Sequence, residues 1–307
     1  MIQKTHDDSV GTAVAWLMLG VAGGLGLDLC AKEILQTYSL NQFIFLRSVI
    51  GLLIFMLLAR QFGGWKSLVT RRWRWHLLRT FLATITMFGF FYGLARMPLV
   101  NALTLAFVAP LIVTALSVPF LGEHVGWRRW TAVLIGFGGV LLILRPAAGL
   151  VSLASIAVII AAAGYAALAI TARHLGKTEG ILSLSVYVIV GPLLVSGLIS
   201  IDGPWRTPDV KGWLLFILAG ACSVIAWIGI IGGYRRASPA LLSPFEYTAL
   251  IGAAAAGYFI WGEVPDRWVV TGALIIIASG LFVVYREIWR ADDNAVVSAD
   301  THPGLGP

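Results

Sequence analysis

An all-α membrane bundle of ten spanning helices, arranged as two inverted five-helix repeats with both termini in the cytoplasm, is the fold this sequence predicts. Three observations carry it. The 307 residues are 59% hydrophobic and only 12% charged, whereas soluble domains carry about 25% charged residues. Apolar stretches of about 20 residues, the length needed to cross a bilayer, recur along the chain with short connections. The two halves of the sequence also match, weakly but in order, when one is slid along the other by 140 residues.

The spans follow in order at about 10–32, 42–60, 75–96, 99–121, 127–145, 151–174, 181–201, 211–234, 239–261 and 267–286. The first begins near Val10 after Lys4, His6, Asp7 and Asp8 and shows no convincing cleavage site, so it reads as a retained helix. The second carries Arg47 near its start. The longest connection, Gln61 to Arg74, is basic and tryptophan-rich. The third span carries Arg79 one turn from its beginning, and the ninth carries Glu246. The tail 291–307 is polar, ends Pro-Gly-Leu-Gly-Pro and is expected to be disordered.

Orientation comes from lysine and arginine, which concentrate in cytoplasmic loops. With the N-terminus inside, the run Lys66, Arg71, Arg72 and Arg74 and the pairs Arg128-Arg129 and Arg235-Arg236 all fall on the cytoplasmic side. Lys32, Arg96, Arg145, Arg206, Lys211 and Arg267 are left outside. The net charge of +7 is therefore a topology signal. No basic soluble surface exists for nucleic acid, and the bilayer is the expected partner.

The 140-residue register pairs Gly89 with Gly229, Gly93 with Gly233, Arg96 with Arg236, Ala109 with Ala249 and Gly122-Glu123 with Gly262-Glu263. Repeats at 10–146 and 151–287 hold five spans each. Five is odd, so the second repeat enters the membrane inverted, an arrangement of secondary transporters whose substrate site lies between the halves. The pairs Gly20/Gly24, Gly89/Gly93 and Gly229/Gly233 have the small-xxx-small spacing that lets helices approach closely.

The stretch Leu94 to Pro146, which contains Gly122-Glu123, and the stretch "SPFEYTALIGAAAAGYFIWGEVPDRWVVTGALIIIASGLFVVYRE" resemble the two halves of an EamA-family protein of the drug/metabolite transporter superfamily. Asp28-xxx-Lys32 followed by Arg47 is similar to one branch of that family. The resemblance implies ten helices, monomers or loose homodimers, alternating access around a central cavity, a small-molecule substrate and no cofactor. Family members move amino acids, vitamins, nucleoside-like metabolites and drugs.

Each charge inside a span is costly and is a candidate functional group. Glu246 reads as a binder of a substrate amine, as a proton-titrating carboxylate, or as the structural partner of Arg79, which enters at a similar depth. Asp28 and Lys32 are four apart and can pair on one helix face. With Arg47 they form a candidate outer gate, against the plainer reading of local charge compensation. Trp227 and Tyr247 are candidates to line a cavity for an aromatic or cationic solute, against ordinary core packing. Glu123 and Glu263 precede helices and read as dipole-favoured caps.

No catalytic residue or metal set is expected. Cys30 and Cys222 read as small buried hydrophobes, and His6, His76, His124, His174 and His302 show no ligand spacing. The functional expectation is a secondary active transporter of a small metabolite or drug in a bacterial inner membrane. Efflux driven by protons or exchange is favoured. Uptake of a vitamin- or nucleoside-like metabolite and a non-transporting sensor subunit are the alternatives.

Overall fold

The computed structural model describes residues 2–62, 64–122, 126–144, 151–237 and 242–282. Glu123 and the tail from 291 lie outside the described residues. Among the described residues there are helices and turns and no strand. Helices α1 (Ile2–Ile34), α2 (Leu40–Leu58), α3 (Trp73–Leu94), α4 (Leu99–Ala106), α5 (Ala109–Leu121) and α6 (Trp127–Leu144) make the first half. The second half holds α7 (Leu153–Leu175), α8 (Ile181–Ser200), α9 (Val210–Arg236), α10 (Thr248–Trp261) and α11 (Arg267–Phe282).

Seven stretches are long and apolar enough to cross a membrane, with α4 and α5 counted together as one. Their outward faces remain greasy: Leu57, Phe81, Leu134, Ile251 and Phe259 are all exposed. Such a surface is stable only against lipid tails, so the protein is an integral multi-pass membrane protein. Trp65, Trp73, Trp127, Trp130, Trp205 and Trp213 lie exposed near helix ends, where an amphipathic ring meets both lipid and water.

Local chemistry sets the helix ends. Ser39, Ser152 and Asp209 accept the Gln42, Ser155 and Gly212 amides as N-caps of α2, α7 and α9. Gly122 and Gly262 end α5 and α10 with φ of 70° and 66°, a left-handed turn that favours glycine. These two positions are mates in the 140-residue register.

The register also aligns two breaks. The fourth span divides at Phe107-Val108, just before Pro110, which has no amide to continue the ladder. The sequence predicts a helix over 239–261. Instead Ser243–Tyr247 forms a 3₁₀ turn, and the α-helix begins at Thr248. Pro244 again withholds a donor at the start. Phe107 and Tyr247, register mates, stack edge to face with centroids 5.4 Å apart.

Packing crosses between the halves: α1 lies along α9, α3 along α7, and α2 along α8. Glycines decide two of these contacts. A Cβ on Gly89 would sit 2.6 Å from the Ala157 carbonyl, and one on Gly20 would sit 2.6 Å from the Ile230 amide nitrogen. Gly24 has open space around it and is not part of the α1–α9 seam; Gly23 is.

At one end of the bundle the α1–α2 turn meets the α8–α9 turn. The Gln42 amide exchanges two bonds with the Arg206 backbone, at 2.5 and 3.1 Å. The Asp209 carboxylate accepts from the Gly212 amide at 2.7 Å and the Tyr38 hydroxyl at 3.2 Å. The Gly212 amide, foremost, holds this carboxyl below its usual value of 3.8, with Tyr38 adding to the effect. A carboxylate held low stabilises the folded state above its unfolded pKa and loses that contribution as pH falls through the folded value. Asp209→Ala is therefore expected to lower the melting temperature of detergent-solubilised protein at pH 7. The gap from wild type should close in acid. A gap that does not change with pH would sink this account.

Candidate functional site

The helices line a central cavity of about 200 Å³, open at its mouth. Its walls are mostly apolar, with Phe90, Phe91 and Phe107 among them. Four of the sequence-predicted residues do line it: Asp28 on α1, Arg47 on α2, Trp227 on α9 and Glu246 in the 3₁₀ turn. The other three do not.

Glu246 is 8% exposed. Its Oε1 accepts from the Tyr165 hydroxyl of α7 at 2.8 Å and from the Tyr234 hydroxyl of α9. Among the described residues no cation pairs with it. Two neutral donors can hold a carboxyl in either protonation state, because the acid keeps acceptor capacity when its proton is on. The site can therefore exchange a proton, or meet a cationic group, without breaking an ion pair.

The pairing of Glu246 with Arg79 is not what the structure shows. Arg79 is fully buried where α3 packs against α7 and α8. It donates through Nη1 to the Leu168 carbonyl at 2.8 Å and the Thr171 hydroxyl at 2.7 Å, and through Nη2 to the Leu184 carbonyl at 3.2 Å. It ties three helices together away from the cavity. Similar depth in sequence did not mean the same helix face.

The three-charge outer cluster also divides. Lys32 forms an ion pair with Glu263 rather than with Asp28, and lies 5.1 Å from the Trp261 ring centroid. Glu263 also accepts the Leu99 amide at 2.9 Å. It therefore caps α4, not the helix that follows it in sequence. Asp28 and Arg47 both line the cavity, and no ion pair joins them among the described contacts. Tyr247, placed by sequence as a cavity residue, instead packs between Phe107 and Gly280 of α11. No group of His, Cys, Asp or Glu among the described residues could hold a metal.

The sequence model of the EamA-like transporter family matches residues 12–145 and again 152–285. The chain belongs to the EamA-like transporter family. It is 30% identical over 291 residues to an S-adenosylmethionine uptake transporter of Rickettsia bellii, covering 92% of this chain and 96% of that one. It is 31% identical over 240 residues to a riboflavin transporter of Vibrio cholerae, covering 78% and 80%. It is 27% identical over 265 residues to a pseudopaline exporter of Pseudomonas aeruginosa, covering 82% and 89%. A solved crystal structure at 17% identity superposes with a TM-score of 0.69, over 90% of this chain and 97% of the other, which shows the shared fold. This EamA-like protein is thus a transporter of small metabolites in a bacterial inner membrane, and these names indicate a transporter rather than an enzyme.

Two residues that hold Glu246 escaped the sequence reading of this EamA-like transporter: Tyr165, which lines the cavity, and Tyr234, which is fully buried behind it. Each is the single tyrosine of its helix, and in α9 Tyr234 is followed directly by Arg235 and Arg236. A buried tyrosine hydroxyl needs an acceptor, and a buried carboxylate is the strongest one on offer.

Proposed function

We propose that the chain is a secondary active transporter working by alternating access between two inverted repeats, at 10–146 and 151–287. Ten spans place both termini in the cytoplasm. Glu246 is the residue that couples movement of the solute to a proton, or meets the solute's cationic group. The observation that supports this reading most is a buried carboxyl facing the cavity, held by two tyrosine hydroxyls and, among the described residues, by no cation. Such a group changes charge state at small structural cost, whereas breaking a buried ion pair costs several kcal/mol.

The substrate is a metabolite with an aromatic ring system. Phe90, Phe91 and Trp227 supply apolar and π surface in the cavity. Likeness to transporters of S-adenosylmethionine and riboflavin supports a nucleoside-like or vitamin-like solute, and likeness to the S-adenosylmethionine uptake transporter supports uptake as the direction. Likeness to an exporter supports outward movement as the second reading.

The test is transport of labelled S-adenosylmethionine and riboflavin by proteoliposomes of purified protein, with and without an imposed pH gradient and with internal cold solute. Accumulation that follows the gradient supports proton coupling, and counterflow without a gradient supports exchange. Absence of net movement and counterflow for these two and for a wider metabolite panel, together with a stoichiometric protein partner, would favour the sensor reading instead.

A further inference from the structure

Two arginines are fully buried inside this membrane protein, and they are treated very differently. Arg79 engages both terminal nitrogens, with two carbonyls and a hydroxyl, and leaves only Nε without an acceptor among the described residues. Arg47 is also 0% exposed, yet its Nε and Nη1 have no acceptor among the described residues. Only Nη2 is engaged, with the Met87 thioether at 2.7 Å and the Ser48 hydroxyl at 3.4 Å. A thioether is a weak acceptor and 3.4 Å is a long bond. Three N–H bonds, one on Nε and two on Nη1, are left without a partner.

Leaving a buried charged donor unsatisfied is among the most expensive choices a fold makes, the more so in a membrane. The surroundings do not make it cheap. Phe43 and Phe91 place their rings 5.9 and 5.7 Å from the guanidinium carbon, offering only the weaker attraction of π faces. Asp28 lines the same cavity but makes no hydrogen bond or ion pair with Arg47 among the described contacts. What Arg47 does have is the cavity, which it lines beside Asp28.

We infer that Arg47 is an anion anchor: it receives a carboxylate of the transported solute, whose aromatic or apolar body fills the rest of the cavity. The inference rests on the transporter reading for its biological sense. It narrows the substrate class to acids and zwitterions carrying a planar apolar group. A planar fork suits a carboxylate, which accepts two parallel bonds. Glu246 sits in the 3₁₀ turn before α10 and Arg47 on α2, so a zwitterion would meet the two groups on different elements of one cavity.

The experiment uses full-length protein and matched pairs: phenylacetate, indole-3-acetate and 1-naphthylacetate, each against its primary amide. Transport is followed in proteoliposomes, and binding by the shift in melting temperature in detergent. Wild type is expected to prefer each acid over its amide by about 10- to 100-fold, the range for one charge-assisted contact. Arg47→Gln should bring the acid down to the level of the amide, and Arg47→Lys should restore part of the preference. Equal handling of acids and amides by wild type overturns the anchor while leaving a transporter. Acids that shift the wild-type melting temperature without moving, with the shift lost in Arg47→Gln, uphold the anchor and count against transport. Acids that neither move nor bind overturn the anchor. The wild-type comparison stands even where a variant fails to fold.

Discussion

Glu246→Gln is expected to abolish gradient-driven accumulation while leaving the protein folded. The substitution removes one ionisable proton and little else. The glutamine carbonyl keeps the shape and position of Oε1, so the Tyr165 and Tyr234 hydroxyls still have an acceptor. No cation is stranded, because none pairs with Glu246 among the described residues. The melting temperature should therefore move by no more than about 1 kcal/mol of stability allows. The transport effect is far larger. A gradient of about 2 pH units stores roughly 2.7 kcal/mol per proton, enough for about 100-fold accumulation at one proton per solute. The variant should equilibrate the solute and stop there. Glu246→Leu serves as the contrast, since it orphans two buried hydroxyls at about 1–3 kcal/mol each and should melt earlier. Accumulation by Glu246→Gln equal to wild type would remove Glu246 from coupling. The carboxyl would then be a packing group for two tyrosines, and Asp28 the next candidate.

The helices were legible in the sequence because lipid imposes one rule on every span, a run of apolar residues. The 140-residue register was legible as well, and it runs deeper than residue identity. Gly122 and Gly262 both take the left-handed cap, and the α4–α5 junction and the start of α10 are both irregular beside register mates, Phe107 and Tyr247. What the sequence hid was azimuth. Hydropathy gives the depth of Arg79 and Glu246 but not the face each presents, and the two turn to different neighbours. The same blindness paired Lys32 with Asp28, one turn away, when its partner Glu263 lies 231 residues on. It assigned Glu263 to the next helix when the amide it caps is that of Leu99. It treated Gly20 and Gly24 as one motif, although only Gly20 touches α9. The tyrosines around Glu246 were hidden for a related reason: each is ordinary in its own helix and acquires meaning only where three elements meet. Charges and glycines could be singled out from sequence as special; their partners required the packed bundle.

Gly229→Ala is expected to destabilise the bundle strongly, and Gly24→Ala is not. Both changes add one methyl to a helix, so the gain of roughly 0.5–1 kcal/mol in helix propensity is common to them. Only the neighbours differ. A Cβ on Gly229 would overlap the backbone of Gly20 and stand 2.6 Å from the Trp16 carbonyl oxygen. Backbone cannot rotate aside as a side chain can, so α1 and α9 would have to separate along their seam. Overpacking of this kind costs about 1–3 kcal/mol and sometimes more. At about 2–4 °C per kcal/mol the melting temperature should fall by roughly 2–12 °C. Gly24 meets nothing within 4 Å, so its methyl enters the cavity and the fold should keep or slightly raise its melting temperature. Transport should follow the same seam. On α1, Asp28 lies two turns beyond Gly20, and on α9 Trp227 lies two residues before Gly229; both line the cavity. Prising the helices apart moves these two walls together with the interface, so Gly229→Ala should impair transport even in the fraction that stays folded. Equal melting temperatures for the two variants would mean that α1 and α9 are not held in backbone contact. The cavity wall would then be set by some other pair of helices.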